Sequence, residues 1–374
     1  MRILHVTDCY LPRLGGIEMH VSDLASRQQA AGHDVTVLTR SPGTGNGPVP
    51  VRRLRGGPLT WGRGAEVNRF VEDSGIDVVH AHLSVASPLS SAALRSVRDV
   101  ATVATIHSVV PDAPELLRSA MAITRFPTST VAFTAVSEAA AAPWRRALGD
   151  RMPVRVLHNG IDPYDWATER MPSDDSTFTV VSVGRFARRK RRRALVDMLA
   201  ALRLRLPAAT VLRAVLVGDG PELPAVRHDI GRAGLTEHVD LPGRLTRTQI
   251  RAVLAEADVY AAPAILESFG IAALEARCAG LPVVAMSRGG ASEFVQHGQE
   301  GFLVRTDAEM VEALLKLSTD RELRDRISHH NATTVPPMAW VSVLAQHEQV
   351  YMRALTRDRR PESIRRLGSV VHSS

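Results

Sequence analysis

Residues 258–286 read DVYAAPAILESFGIAALEARCAGLPVVAM. A short apolar run ends at Pro263, and a loop carrying Glu267 and Gly270 follows. Apolar residues then recur at helical spacing until Gly280, and a second apolar run starts at Pro282. Both runs are continuous rather than alternating. Continuous Val and Ala runs mark strands buried on both faces, which belong to a parallel sheet covered by helices. The spacing predicts a helix starting near Ser268. Glu275 then lies about two turns beyond Glu267, ~12 Å along the axis. The amides of Phe269, Gly270 and Ile271 would sit at the helix start, facing an anion. Glu275 would lie beside the buried apolar surface of Ile271, Ala272, Ala273 and Leu274 and require a hydroxyl partner.

The same unit recurs in both directions. Upstream of it, TFTVVSVGR (177–185), TVLRAVLVGDG (210–220) and HVDLPG (238–243) alternate with helical segments. The first half repeats the pattern at RILHVTD (2–8), DVTVLT (34–39), DVVHAHL (77–83), ATVATIHS (101–108), TVAFTAVS (130–137) and VRVLHNG (154–160). Residues 162–176, DPYDWATERMPSDDS, are polar and proline-containing and read as a linker. The chain is therefore expected to be α/β, with two doubly wound domains spanning 1–164 and 165–337. A terminal helix at about 338–356 would return to the first domain, followed by a basic mobile tail over 357–374. Ligands of such sheets bind at the carboxyl ends of the strands, and two facing domains would form a cleft.

Bulk properties narrow the partners. The 374 residues exceed what one ordinary core holds. A net charge of +7 suits anionic partners: phosphorylated substrates, acidic lipid surfaces or nucleic acid. No apolar run approaches the ~20 residues of a membrane span, and MRILHVTD lacks a signal peptide's order, so a cytosolic chain is expected. Cys9 and Cys278 are too few for a disulfide scaffold or a zinc site, and both are expected to be small buried residues.

Several glycine turns carry chemistry or punctuation. Gly15 and Gly16 stand between the first strand and its helix, where a ligand backbone approach and a helix N-terminus coincide. The GxGxxG of dinucleotide binders is absent. In VGRFARRK (183–190), Gly184 and Arg185 end a strand and Lys190 follows. Arginine offers a fork and lysine a point charge for a pyrophosphate. Of 46 Lys and Arg residues only Lys190 and Lys316 are lysine, so Lys190 is conspicuous within the basic run Arg188–Arg193. That run would suit a nucleic-acid backbone. It lacks interleaved aromatics, and aromatic content is 4%, which argues against single-strand stacking. Part of the run reads as the solvated start of a helix. Gly218 in LVGDG and the pair Gly289-Gly290 in SRGG are further strand-to-helix turns that punctuation alone would explain. His80, His82 and His107 end two strands, with His107 the foremost functional candidate.

Together these residues resemble the retaining glycosyltransferases of family 4, which have the GT-B fold of two facing Rossmann-like domains. The resemblance runs from MRILHVTD to GFLV and is most specific around ESFGIAALE. It implies a nucleotide-sugar donor, UDP- or GDP-linked, and no metal or other cofactor. Arg185 and Lys190 would bind the diphosphate and stabilise the departing nucleotide, with Glu267 on the donor sugar and Glu275 on the ribose. His107 would line the reacting face. Gly15, Gly16, Gly184, Gly218, Leu245, Phe269, Gly270 and Ile271 would complete the donor site. The acceptor would be a glycan, lipid or small molecule, with peripheral contact to an anionic membrane compatible with the charge and no nucleic acid partner. The family often has glycine after the lysine; here Arg191 stands there, and a charged residue would alter donor choice or helix start, or reach another phosphate. A nucleotide-sugar 2-epimerase of the same fold and a non-catalytic nucleotide-sugar binder are the alternatives.

Overall fold

The computed structural model describes residues 1–44, 47–54, 64–110, 113–123, 131–149, 153–169 and 176–358. The chain divides into two compact units, Met1–Gly160 with Val341–Ser374, and Ile161–Trp340. In the first, chain order is β1 (Arg2–Thr7), α1 (Gly16–Ala30), β2 (Asp34–Thr39), β3 (Val51–Arg53), α2 (Gly64–Ser74), β4 (Val78–Leu83), α3 (Pro88–Ser96), β5 (Ala101–Ile106), α4 (Pro114–Ile123), β6 (Val131–Ala135), α5 (Glu138–Leu148) and β7 (Val154–Val156). The sheet order is β3-β2-β1-β4-β5-β6-β7, parallel throughout. Its two faces differ. Leu4, Val6 and Val79 face Val67 and Val71 of α2 and Leu89 and Ala93 of α3. On the other face Ile3, Val78 and Val103 pack on Val21 and Ala25 of α1. Each such valine, leucine or isoleucine stabilises the fold by about 1.5–3 kcal/mol relative to exposure. Strand β3 was not expected: its VRR carries no apolar run, and it pairs only at the sheet edge.

The second unit runs α6 (Pro163–Trp166), β8 (Thr177–Val183), α7 (Arg192–Arg203), β9 (Val211–Val217), α8 (Leu223–Arg232), β10 (Val239–Asp240), α9 (Arg247–Ala255), β11 (Val259–Ala262), α10 (Ile271–Cys278), β12 (Val283–Met286), β13 (Gly301–Val304), α11 (Asp307–Thr319) and α12 (Arg321–Thr333). Its parallel sheet has the order β10-β9-β8-β11-β12-β13. The order reverses between β8 and β11, so the loops leaving these two neighbours start side by side. That topology places the Lys190 loop beside the Glu267 loop.

The segment read as a linker is partly structured. Asp162 caps α6, Trp166 is buried, and Thr168 bonds the Ala279 carbonyl at 3.1 Å. The last helix, α13, spans Trp340–Asp358. It therefore takes in residues 357 and 358, expected in the tail; the rest of the tail, 359–374, lies outside the described residues. From Val341 on it belongs to the first unit, where Val350, Tyr351 and Ala354 join the face of Ile3 and Val78. Cys278 is buried as expected, whereas Cys9 is only half-buried; both are free thiols.

Candidate active site

Strand β8 ends at Val183, and the chain turns sharply at Gly184. Gly184 N–H donates to Val217 at 2.9 Å and Phe186 N–H to Asp219 at 2.9 Å. Gly218 has φ +134°, and a Cβ there would lie 2.1 Å from the Gly184 carbonyl oxygen. Its glycine is thus required by the packing of two strand ends. The chain then makes a 3-10 turn, Arg188–Lys190. From this turn Lys190 Nζ reaches Glu267 Oε2 at 2.5 Å, both side chains being half-buried. An ammonium has three donors, and Glu267 takes one.

The Glu267 loop is held from behind by the second glycine pair. Gly290 N–H donates to the Glu267 carbonyl at 2.8 Å. A Cβ on Gly290 would sit 2.4 Å from Ser268 O, and one on Gly289 3.1 Å from Glu267 Cβ. The helix after this loop starts later than expected. Its N-cap is Gly270, in the left-handed conformation at φ +92°, and Ile271 is the first helical residue. Glu275 accordingly lies four residues into the helix, ~6 Å along it. Gly270 supplies no side-chain cap; its carbonyl takes the Ala273 amide at 2.9 Å, which leaves the Ile271 and Ala272 amides open towards the loop. Phe269 offers only its backbone there, because its ring is buried at 5.6 Å from Phe294. Leu245 is half-buried on the loop between β10 and α9.

The basic run is solvated only in part. Arg185, Arg188 and Arg189 are exposed, and the Arg185 guanidinium has no partner among the described residues. Arg191 stands at φ +52°, a left-handed position that favours glycine. Its guanidinium grips Asp307 at 2.9 and 2.7 Å and the Pro263 carbonyl at 3.1 Å. It is thereby committed to bracing β11's exit and the start of α11, not to a phosphate. Arg192 is buried, bonded to Ser182 Oγ and stacked 5.6 Å from the Phe186 ring centre. Its Nε has no hydrogen-bond partner among the described residues. Burial lowers its pKa, opposed by Tyr260 and Glu267. Arg193 pairs with Asp229 at 2.6 Å. The partners lie far along the chain, so the run alone does not reveal them.

In the first unit Gly15 caps α1 without a side chain, and Gly16 opens the helix. A Cβ on Gly16 would meet nothing within 4 Å, so no protein neighbour demands glycine there. His107 follows β5, its N–H bonded to Leu83 O at 2.8 Å. The ring belongs to a buried histidine cluster. His107 Nε2 lies 2.9 Å from His82 Nδ1, and His82 Nε2 lies 2.9 Å from His5 Nδ1. His80, His20 and His347 pack alongside. Burial lowers His5 and His347 to about 4 and His107 to about 3, and drives His20, His80 and His82 well down. The ligand atoms of His5, His80 and His82 lie within 4.8 Å of one another, close enough to hold a cation. Hydrogen bonds already engage these same nitrogens.

Comparison with known proteins shows the family. Residues 14–164 match Glycosyltransferase Family 4, and residues 168–333 match Glycosyl transferases group 1. A phosphatidyl-myo-inositol mannosyltransferase of Mycobacterium leprae is 31% identical over 363 residues, 91% of this chain and 94% of the relative. The chain belongs to the family 4 glycosyltransferases. This glycosyltransferase is a hexosyltransferase that draws its sugar from a nucleotide-sugar donor; the epimerase and binder readings are not favoured. A GDP-mannose-dependent phosphatidylinositol monomannoside mannosyltransferase of Mycobacterium tuberculosis is 28% identical over 86% of the chain and 90% of its own length. Among solved structures, Anabaena HepE in complex with UDP and glucose superposes with a TM-score of 0.75. It shares 24% identity and covers 94% of this chain and 100% of its own. That likeness establishes the GT-B fold.

Sequence reasoning singled out Lys190, Glu267 and His107 and marked Arg191 as a departure without its partners, but missed Arg192 and Asp307. It also missed His5 as part of the cluster. The signal was present: His80 and His82 alternate along β4, and His5 is the register partner of His80 on β1. Period two puts all three on one face.

Proposed function

We propose that this glycosyltransferase transfers mannose from GDP-mannose, with retained configuration, to a hydroxyl of an inositol-phospholipid acceptor. The observation that carries the chemistry is the 2.5 Å Lys190–Glu267 pair, three residues before the uncapped N-terminus of α10. Two free ammonium donors of Lys190, the exposed Arg185 and the open helix amides together suit a diphosphate. Positive charge placed where the nucleotide departs stabilises the transition state without a metal. Glu267, held by Lys190 and the Gly289-Gly290 turn, orients sugar hydroxyls, and Glu275 takes the ribose. The acceptor oxygen bonds to the anomeric carbon on the face the phosphate leaves, and its proton passes to the departing phosphate oxygen. In this reading no residue serves as a covalent nucleophile.

The choice of mannose and of a lipid acceptor rests on the mycobacterial relatives, whose names specify both. A lipid acceptor also fits the +7 balance, which favours an anionic surface. No described helix is long and apolar enough to cross a membrane; this reading takes the contact with the acceptor's membrane to be peripheral, on the cytoplasmic side. UDP-glucose is the second reading: Anabaena HepE is solved in complex with UDP-glucose, and a Mycobacterium tuberculosis glycogen synthase is 27% identical over the whole chain. A thermal-shift panel of GDP, UDP and ADP in chelator separates them, since a ligand of the folded state raises the melting temperature. Transfer of labelled mannose to phosphatidylinositol vesicles then tests the acceptor. A shift with UDP alone, or label moving only from UDP-glucose, would replace the mannose reading.

A further inference from the structure

The histidine cluster is wired in one direction. The Ala104 carbonyl can only accept, so the Thr134 hydroxyl donates to it at 3.4 Å. Thr105 then donates to Thr134 at 2.7 Å, which leaves the Thr105 oxygen to accept from His80 Nε2–H at 2.7 Å. His80 Nδ1 is thereby a lone pair and accepts from the Tyr351 hydroxyl at 2.8 Å. The Tyr351 oxygen accepts from Gln28 Nε2 at 3.0 Å, which turns Gln28 Oε1 towards His5 Nε2–H at 2.7 Å. His5 Nδ1 must therefore accept from His82 Nε2–H, and His82 Nδ1 from His107 Nε2–H. Every ring in this chain is neutral with its proton on Nε2. Beside them pack two more buried imidazoles, His20 and His347, which burial also keeps neutral. His107 ends the chain with its Nδ1 lone pair unused among the described residues.

We propose that Gln28 and Tyr351, acting through His5 and His82, are positioning residues that lock His107 in the tautomer whose Nδ1 accepts a hydrogen bond from a substrate hydroxyl. The proposal rests on the reading of His107 as the substrate-facing residue of the first unit. Reversed, the chain would present an N–H donor instead, and a hydroxyl would have to use its oxygen rather than its proton. The C-terminal helix α13, which carries Tyr351, thus sets the polarity of a group that belongs to β5. A cation at His5, His80 and His82 would need the nitrogens that the chain consumes.

The test is long-range 1H–15N correlation NMR on the full chain labelled at histidine, without substrate. His5, His82 and His107 are expected in the Nε2–H form; His107 in the Nδ1–H form overturns the proposal. Stoichiometric zinc in protein purified without chelator, with the His5, His80 and His82 signals displaced, overturns it as well. Gln28→Glu keeps the shape but adds a buried carboxylate. His5 then takes a proton from solvent and donates from both nitrogens, which turns His82 and His107 round. His107 is expected to become Nδ1–H, with kcat/KM lower by about 5- to 100-fold and the affinity for nucleoside diphosphate unchanged. Tyr351→Phe removes the anchor without adding charge and serves if the first variant does not fold. It is expected to give mixed tautomers at His107 and a smaller loss. Unchanged tautomers in the folded variants refute the mechanism. The spectra need no activity, so failure of the donor reading and failure of this inference are separable.

Discussion

Lowering the pH from 7 to 5.5 is expected to open the first unit ahead of the second. Six histidines of the first unit are buried and neutral, with His5 and His347 at about 4, His107 at about 3, and His20, His80 and His82 well below their ordinary value. Burial is the leading cause for each. Their folded values lie below the unfolded value near 6.5, so the unfolded chain binds more protons as the pH falls through that value. The stability they permit is full above about pH 7 and is lost downward towards the folded values near 4 and 3. Between pH 7 and 5.5 each histidine that stays neutral in the fold costs about 1.3 kcal/mol. Three of them amount to about 4 kcal/mol and six to about 8, against a typical total stability of about 5–15 kcal/mol. Among the described residues no histidine of the second unit is buried, so that unit lacks this term. Hydrogen exchange read by mass spectrometry, corrected for the intrinsic pH effect on exchange, resolves the two. Peptides from β1, β4 and β5 are expected to lose protection by pH 5.5, whereas those from β8 and β11 keep it. Undiminished protection of the first unit at pH 5.5 would show that the histidines take up protons inside the fold, and the burial argument would fail.

Lys190→Ala is expected to lower turnover by about 10²- to 10³-fold with the melting temperature little changed, because its charge acts on the leaving group; steady-state kinetics near wild type would remove it from the diphosphate site. Glu267→Gln should reduce kcat well beyond any change in nucleoside-diphosphate Kd, and equal losses in both would contradict its assignment to the sugar. Arg191→Gly relieves a left-handed residue worth about 1–2 kcal/mol and removes an ion pair worth about 0–1 kcal/mol, so calorimetry should show stability within about 1–2 kcal/mol of wild type. Turnover should nevertheless fall, since the brace between Pro263 and Asp307 is gone; undiminished turnover would deny Arg191 any positioning role. Gly290→Ala forces a Cβ to within 2.4 Å of Ser268 O, and is expected to cost about 1–3 kcal/mol and to lower kcat by displacing Glu267. A fully active, equally stable alanine variant would show that the loop yields freely.

Local pattern accounts for what could be read directly. Val and Ala runs bounded by glycine mark most of the strands, because a strand covered on both faces has no polar side to show. Edge strand β3, with VRR and little burial, escapes that signal. The start of α10 was misplaced for a related reason. Ser268 is a favoured helix cap on local grounds, yet Gly290 presses on Ser268 and Phe269 while the Phe269 ring is drawn into the core beside Phe294. The chain therefore stays non-helical until Gly270, whose left-handed backbone turns it into the helix.

The charged residues divide along the same line. Composition and order singled out Lys190, Glu267, Glu275 and His107, since a rare lysine after a strand-ending glycine and a carboxylate pair around a helix start are local features. Which arginines of the run face water was decided by Asp307, Asp229 and Ser182, residues separated from them by 10 to 116 positions. The polarity of the histidine chain likewise needs Gln28 on α1, Tyr351 on α13 and the register of β1 against β4. Periodicity and glycine placement act over one or two turns, so sequence alone determined the two parallel α/β units and the residue types at their strand ends. Hydrogen-bond direction and ion pairing depend on atoms brought within 3 Å by sheet order, and only the tertiary structure decided those.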